Sequence, residues 1–237
     1  MPIADRVLYE DNHLIVINKL AGEIVQGDKT GDIPLIDAVK DYLKVTYNKH
    51  GNVFCGLVHR IDRPVSGAVI FAKTSKALAR MNELVKNREI TKIYLAVVET
   101  APEVPEQRLT DWLFRNEKAN KTFVSHTEKE GYAKAELSYR MVKKLTNYTL
   151  LEVALYTGRH HQIRAQLSAN GTVIKGDLKY GARRSNRDGS ISLHSYKVEF
   201  EHPVSHKPVS VTAPLTGKMA KMLGGEFPAI QGDFSCD

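Results

Sequence analysis

The residues best equipped for chemistry lie in two short stretches. The first is His59-Arg60-Ile61-Asp62-Arg63-Pro64-Val65-Ser66-Gly67, followed by the apolar run Ala68 to Phe71 and by Lys73-Thr74. It sets one carboxylate within two residues of two arginines, on a segment rich in turn formers. An ionised carboxylate can attack or stabilise a carbon that carries positive character, as in glycosidases. Asp before Arg-Pro is also an ordinary turn residue, with Arg60 and Arg63 as solvated neighbours. Residue type alone leaves both readings open. A glycoside or nucleoside hydrolase would need a second carboxylate as acid or base, and none stands out near Asp62.

The second stretch is Thr157-Gly158-Arg159-His160-His161-Gln162-Ile163-Arg164, ahead of Leu167, Gly171, Lys175, Gly176, Asp177, Tyr180 and Gly181. Adjacent histidines can bind metals, but neighbours on a helix point about 100° apart, and no His-x-x-x-His or cysteine partner follows. A helix whose polar residues face a groove is the plainer reading. Only Cys55 and Cys236 occur, so there is no disulfide framework and no four-cysteine zinc site.

Charge is concentrated around both stretches. From Arg159 to Arg187 seven positive residues (Arg159, Arg164, Lys175, Lys179, Arg183, Arg184, Arg187) stand against one acid, Asp177. From Arg60 to Lys92 eight positive residues stand against three acids. Two basic segments far apart in sequence suggest one basic face for a polyanion such as RNA or DNA, or two solvated surfaces. The whole chain of 237 residues carries +7, with 42% hydrophobic and 26% charged residues, too apolar for a disordered protein. No run of 18 apolar residues spans a membrane, and the N-terminus has no apolar signal core, so a reducing cytoplasm is the natural expectation.

The elements that must position these residues follow from periodicity. Val7 to Tyr9 and Leu14 to Ile17 flank the turn formers Asp11 and Asn12, as in a hairpin. Leu35, Val39, Tyr42, Leu43 and Thr46 fall at helical spacing after Asp32 and Pro34. Ala68 to Phe71 predicts a buried strand, and Thr74 or Ser75 caps a helix with Leu78, Met81, Leu84 and Val85 on one face. Ile93, Leu95 and Val97 alternate as in a strand. Further strands are expected near 108–114, 121–126, 134–142, 147–155, 191–200 and 208–212, and helices at 160–169 and 216–223. Gly181 to Ser190 is a basic loop. Strands that follow one another directly favour an α+β fold, with a mixed, mostly antiparallel sheet and flanking helices and loops. A single domain over 1–237 is expected, with two subdomains flanking a central cleft as a variant of it.

His59 to Gly67 resembles the signature of the RluA-type pseudouridine synthases, whose usual form is His-Arg-Leu-Asp-Arg-x-Thr-Ser-Gly. Other blocks are similar in the expected order: the opening hairpin from Val7 to Lys19, the Lys92-Ile93-Tyr94-Leu95-Ala96-Val97-Val98 strand, Gly158 to Arg164, Lys175-Gly176-Asp177 with Tyr180-Gly181, and Leu193-His194. The departures are Leu20 for a usual Pro, Val65 for Thr, and Ala165-Gln166 for a common Val-His. By this resemblance a stand-alone catalytic domain is expected, without the small N-terminal S4-like RNA-binding domain that many relatives carry in front.

The resemblance implies a catalytic cleft across the sheet and an enzyme that isomerises uridine in ribosomal or transfer RNA to pseudouridine. The N1–C1′ bond breaks, the base turns, and it rejoins through C5. That chemistry needs no cofactor and no metal. Asp62 is then the catalytic carboxylate, with attack on the ribose C1′ or on C6 of the uracil both open. Arg164 matches the arginine that pairs with it, and Tyr94 the active-site tyrosine that stacks on the uracil and could help remove the C5 proton. The target must be flipped out of its stack. Arg60 is the candidate to brace the gap, and His59 to hold the loop through hydrogen bonds. Arg63, Arg159, His160, Lys175, Arg183 and Arg184 are further RNA-binding candidates, and Ile163 and Leu193 candidates for the uracil pocket. RNA is the expected partner and a monomer the expected state. A non-catalytic RNA-binding or chaperone protein on the same scaffold is the alternative from another class.

Overall fold

A computed structural model describes residues 1–27 and 31–224; Cys236 lies outside them. The protein has a mixed α+β fold, a mostly antiparallel sheet flanked by helices. The described chain divides into two units, the first built from Met1–Thr91 and Ser195–Thr216, the second from Lys92–His194 and the chain from Gly217 onward.

In the first unit the strands run in the order β1 (Val7–Glu10), β2 (Leu14–Lys19), β4 (Ser66–Ala72), β10 (Leu193–Glu201), with the short β3 (Gly56–Leu57) on β4 and β11 (Pro208–Thr212) on β10. β2 and β4 pair antiparallel from Leu14↔Ala72 to Lys19↔Gly67. Each carries a continuous apolar run, Leu14–Ile17 in β2 and Ala68–Ala72 in β4, rather than an alternating pattern, as expected of strands covered on both faces. Leu14, Val16, Ala68 and Ile70 turn to a core shared with Ala77, Met81, Ile90, Val198, Phe200 and Val211. Ile15, Ile17, Val69 and Phe71 occupy the opposite face and are fully buried. Helix α1 (Leu35–Thr46) buries Leu35, Val39 and Leu43 at helical spacing. Helix α2 (Ser75–Lys86) is capped by Thr74, whose Oγ1 accepts the Ala77 N–H at 3.1 Å.

In the second unit the order is β5 (Thr91–Val98), β9 (Thr149–Leu155), β8 (Ala133–Lys144), β6 (Glu106–Asn116), β7 (Lys121–Ser125), every neighbouring pair antiparallel. Helices α3 (Gln162–Ala169) and α4 (Gly217–Leu223) complete it. Several boundaries differ from the periodicity by one or a few residues, and two of them have a clear physical reason. β6 runs on to Asn116 because the β6–β7 ladder holds its hydrogen bonds to the Asn116↔Lys121 pair, past the last apolar residue. α3 starts at Gln162 instead of residue 160 because His161 sits in the left-handed region, φ 50°, which no helix continues through.

Candidate active site

Asp62 lies in the first unit, half-buried, on the loop between β3 and β4. Its carbonyl accepts the Val65 N–H at 3.0 Å, which closes the Asp62–Val65 turn expected from Asp before Arg-Pro. The turn is held from below by Lys19, the last residue of β2. This side chain is 0% exposed, and its Nζ donates to the carbonyls of Leu20 (2.9 Å), Arg63 (3.1 Å) and Val65 (2.7 Å). The Arg63 carbonyl also accepts the Gly22 N–H at 2.8 Å. Burial draws the Lys19 ammonium down to about 7, against the charges of Glu23 and Asp62, which pull it up.

Glu23 is set by Arg6, whose Nη1 donates to both carboxylate oxygens (2.9 and 2.7 Å), and by the Leu20 N–H at 2.9 Å. A proline at position 20, the residue expected there by resemblance, has no N–H to give, so the departure adds a bond. Gly67 closes the loop at φ 116°, where a Cβ would stand 2.2 Å from the Ser195 carbonyl oxygen; only glycine fits. His59 accepts the Ile70 N–H on Nε2 at 3.2 Å and so ties the loop to β4. Arg60 is exposed, and Arg63, also exposed, pairs with Asp32 at 2.7 Å.

The remaining candidates lie in the second unit. Tyr94 is buried in β5 opposite Val153 of β9. Arg164, on the first turn of α3, has a side chain only 6% exposed and forms a two-bond fork with Asp177: Nε to Oδ2 at 2.7 Å, Nη2 to Oδ1 at 2.9 Å. Asp177 is 1% exposed, and the guanidinium carbon lies 5.0 Å from the centre of the Tyr180 ring. A fork of this kind fixes the plane of the guanidinium as well as its position. An arginine this enclosed is oriented by the protein interior.

Around it the two histidines stack, ring centroids 3.7 Å apart. Thr122 gives its one hydroxyl proton to the His160 carbonyl (2.8 Å), so His160 Nδ1, 2.9 Å from the same Oγ1, carries the proton that the oxygen accepts. Tyr180 Oη accepts the Thr122 N–H at 2.8 Å and lies 3.0 Å from His161 Nδ1. Burial, with Arg164, His160, Lys179 and Arg115 adding positive charge, pushes His161 down to about 2, so it stays neutral at any working pH. Gln162 Oε1 accepts from Thr157 Oγ1 (2.8 Å) and the Arg159 N–H (3.0 Å), which sets the entry to α3.

Ile163 and Leu193 are buried; Arg159, Arg183 and Arg184 are exposed; Lys175, half-buried, contacts Asn186 and the ring of Tyr148. Among the described residues no three His, Cys, Asp or Glu side chains converge as metal ligands, and no helix is long and apolar enough to cross a membrane.

Two residues central to this geometry were not among the expected site residues. Lys19 ends a six-residue strand with no polar alternation, and a lysine in such a run is the signal of a buried cation. Asp177 is the lone acid in a stretch with seven bases, which marks it as the partner of one of them.

A family model described as RNA pseudouridylate synthase matches residues 13–169. The chain belongs to this family. It is 31% identical over 220 residues, 90% of this chain and 68% of the relative, to the ribosomal large subunit pseudouridine synthase C of Buchnera aphidicola. It is 29% identical to the protein of that name in Vibrio vulnificus, over 93% of this chain and 69% of the relative. It matches the uncharacterised RNA pseudouridine synthase YlyB of Bacillus subtilis at 29% identity, over 92% and 71%. Among solved structures, human RNA pseudouridylate synthase domain containing 4 superposes with a TM-score of 0.79 at 19% identity, over 94% of this chain and 93% of that one, and so shares the fold. The protein is an RNA-modifying isomerase of the pseudouridine synthase kind.

Proposed function

We propose that this enzyme is of the RluA type, that it converts specific uridines of ribosomal or transfer RNA to pseudouridine, and that Asp62 is its essential carboxylate. The observation that carries the reading is the Asp62 turn. A fully buried lysine and a glycine that admits no Cβ hold a short loop whose carboxylate remains only half-buried. A turn that merely reverses the chain at a surface has no need of a cation taken out of water.

In this reading Arg164, held in plane by Asp177, pairs with Asp62 and offsets the desolvation that a bound base imposes on the pair. As the N1–C1′ bond opens, Asp62 meets the positive character left on the sugar. Tyr94 stacks on the uracil and helps to remove the C5 proton once the base has turned, its oxygen accepting that proton as its own O–H proton passes to water. Arg60 fills the gap left by the flipped nucleotide, and Ile163 and Leu193 line the pocket for the ring. Arg63, Arg159, His160, Lys175, Arg183 and Arg184 bind the RNA backbone. The likeness to the ribosomal large subunit pseudouridine synthases C of Buchnera and Vibrio favours large-subunit ribosomal RNA as the substrate.

The test is tritium release from uracil-C5-labelled RNA by wild type and by Asp62→Asn, with RNA binding measured alongside. The variant is expected to release none while it still folds and binds. Normal turnover in Asp62→Asn would remove this carboxylate from the mechanism. Mapping pseudouridine across cellular RNA with and without the protein identifies the position.

A further inference from the structure

The β6–β7 hairpin carries a cluster that the chemistry above leaves unused. Phe114 and Phe123 are direct cross-strand partners and stand 41% and 44% exposed. The other exposed positions of β6 are Glu106, Gln107, Arg108, Thr110 and Arg115, so apolar rings facing water are an exception on this strand. Strand alternation puts Trp112, two residues before Phe114 and half-buried, on the same face. Tyr132 extends the face beyond β6, its ring centroid 5.4 Å from that of Phe114 and tilted 31°.

Cations border the rings. Lys129 Nζ lies 5.0 Å above the Tyr132 ring, and Lys134 is the cross-strand partner of Trp112. From Arg115 to Lys134 there are five bases and three acids, Glu117, Glu128 and Glu130, a net +2.

Resting on the reading of the protein as an RNA-modifying enzyme, we infer that this face is a stacking platform for unpaired bases of the RNA substrate. Flat rings with bordering cations are the means by which proteins hold single strands. The π-faces take bases of any identity, and the cations follow the backbone. A polyanion complements the net charge. A duplex hides its base faces and gains nothing from the rings.

The sole tryptophan of the chain, Trp112, lies on the platform and reports directly on it. An unstructured single-stranded oligoribonucleotide is expected to quench wild-type Trp112 fluorescence, and a blunt RNA duplex of equal length to leave it nearly unchanged. In Phe114→Leu/Phe123→Leu, which keeps apolar bulk and removes the π-faces, affinity for the single strand is expected to fall about tenfold, with duplex affinity and salt slope unchanged.

Absence of single-strand quenching in the wild type overturns the inference without any variant. Equal losses on both RNAs, or none, overturn it as well. A concentration-dependent dimer of the wild type that the double variant abolishes would give the face to a second copy of the chain instead. Tritium release by the wild type is run in parallel. If wild type releases tritium and binding by the variant is unchanged, the platform fails alone. If no RNA releases tritium, the reading beneath it fails.

Discussion

Replacing Asp177 by Asn leaves the shape of the side chain and removes its charge. In the native protein both carboxylate oxygens accept from Arg164, at 2.7 and 2.9 Å, and neither partner meets water to a useful extent. In Asp177→Asn one oxygen can still accept, but the amide nitrogen confronts an N–H of the guanidinium, donor against donor. Arg164 is left as a buried cation that has lost the counter-charge of Asp177. Breaking a buried pair from one side costs about 3–5 kcal/mol, and the surviving bond places this variant near about 3. A chain of this size loses roughly 2–4 °C of melting temperature per kcal/mol, so a fall of about 6–12 °C is expected in a calorimetric melt.

Because the fork also aims Arg164, kcat for tritium release is expected to drop by a larger factor than KM rises. The reasoning is refuted if Asp177→Asn melts within about 1 °C of wild type with kcat intact, since Arg164 would then need no anchor.

Three further outcomes follow from the loop that carries Asp62 and from its neighbours. Lys19→Met keeps the aliphatic stem and removes three donors, so turnover on RNA is expected to fall. Because the folded-state Lys19 titrates at about 7, below its ordinary value of 10.5, the unfolded chain binds the extra proton between those values. Wild type should therefore gain stability relative to Lys19→Met as pH rises from about 7 toward 10.5, by up to about 1.4 kcal/mol per unit, read from urea melts at stepped pH; no difference in slope would mean the ammonium keeps its proton. Gly67→Ala forces a methyl against the Ser195 carbonyl at a positive φ and is expected to cost more than about 2 kcal/mol, seen as a lowered urea midpoint. Thr74→Ala, which removes the cap of α2, should cost about 1 kcal/mol in the same melts and leave kcat unchanged.

The sequence was most informative where periodicity and pairing agree. The buried run of β4, the Thr74 cap, the helix from Leu35 and the α+β character are local or semi-local properties, and all are present. Periodicity erred at the entry to α3, because no apolar pattern announces that His161 turns left-handed to place Gln162 and Arg164. The partners of the site were harder to read. That Lys19 reaches carbonyls 44 and 46 positions away depends on how β2 lies beside β4. The Arg164–Asp177 fork spans only 13 positions, yet it needs the turn at Gly176, φ 90°, to bring the carboxylate round. Composition signalled both residues as anomalies, a base in an apolar strand and an acid among bases, but an anomaly carries no address.

The first unit is assembled from two stretches, Met1–Thr91 and Ser195–Thr216, that are separated in sequence by Lys92–His194. Its core draws Leu14, Ala68 and Met81 from the early segment and Val198, Phe200 and Val211 from the late one. During synthesis, the early strands β2 and β4 emerge long before β10 and β11, with Lys92–His194 made in between. At about 5–20 residues per second, that interval is roughly 5–20 s. Throughout it, the part of β4 that β10 will cover, short of the Phe71–Ala72 end where β3 already pairs, waits for its partner while the ribosome is still at work. A nascent chain of this design should lean on a holding chaperone during elongation, and a stalled or truncated translation product should be more prone to aggregation than the finished protein.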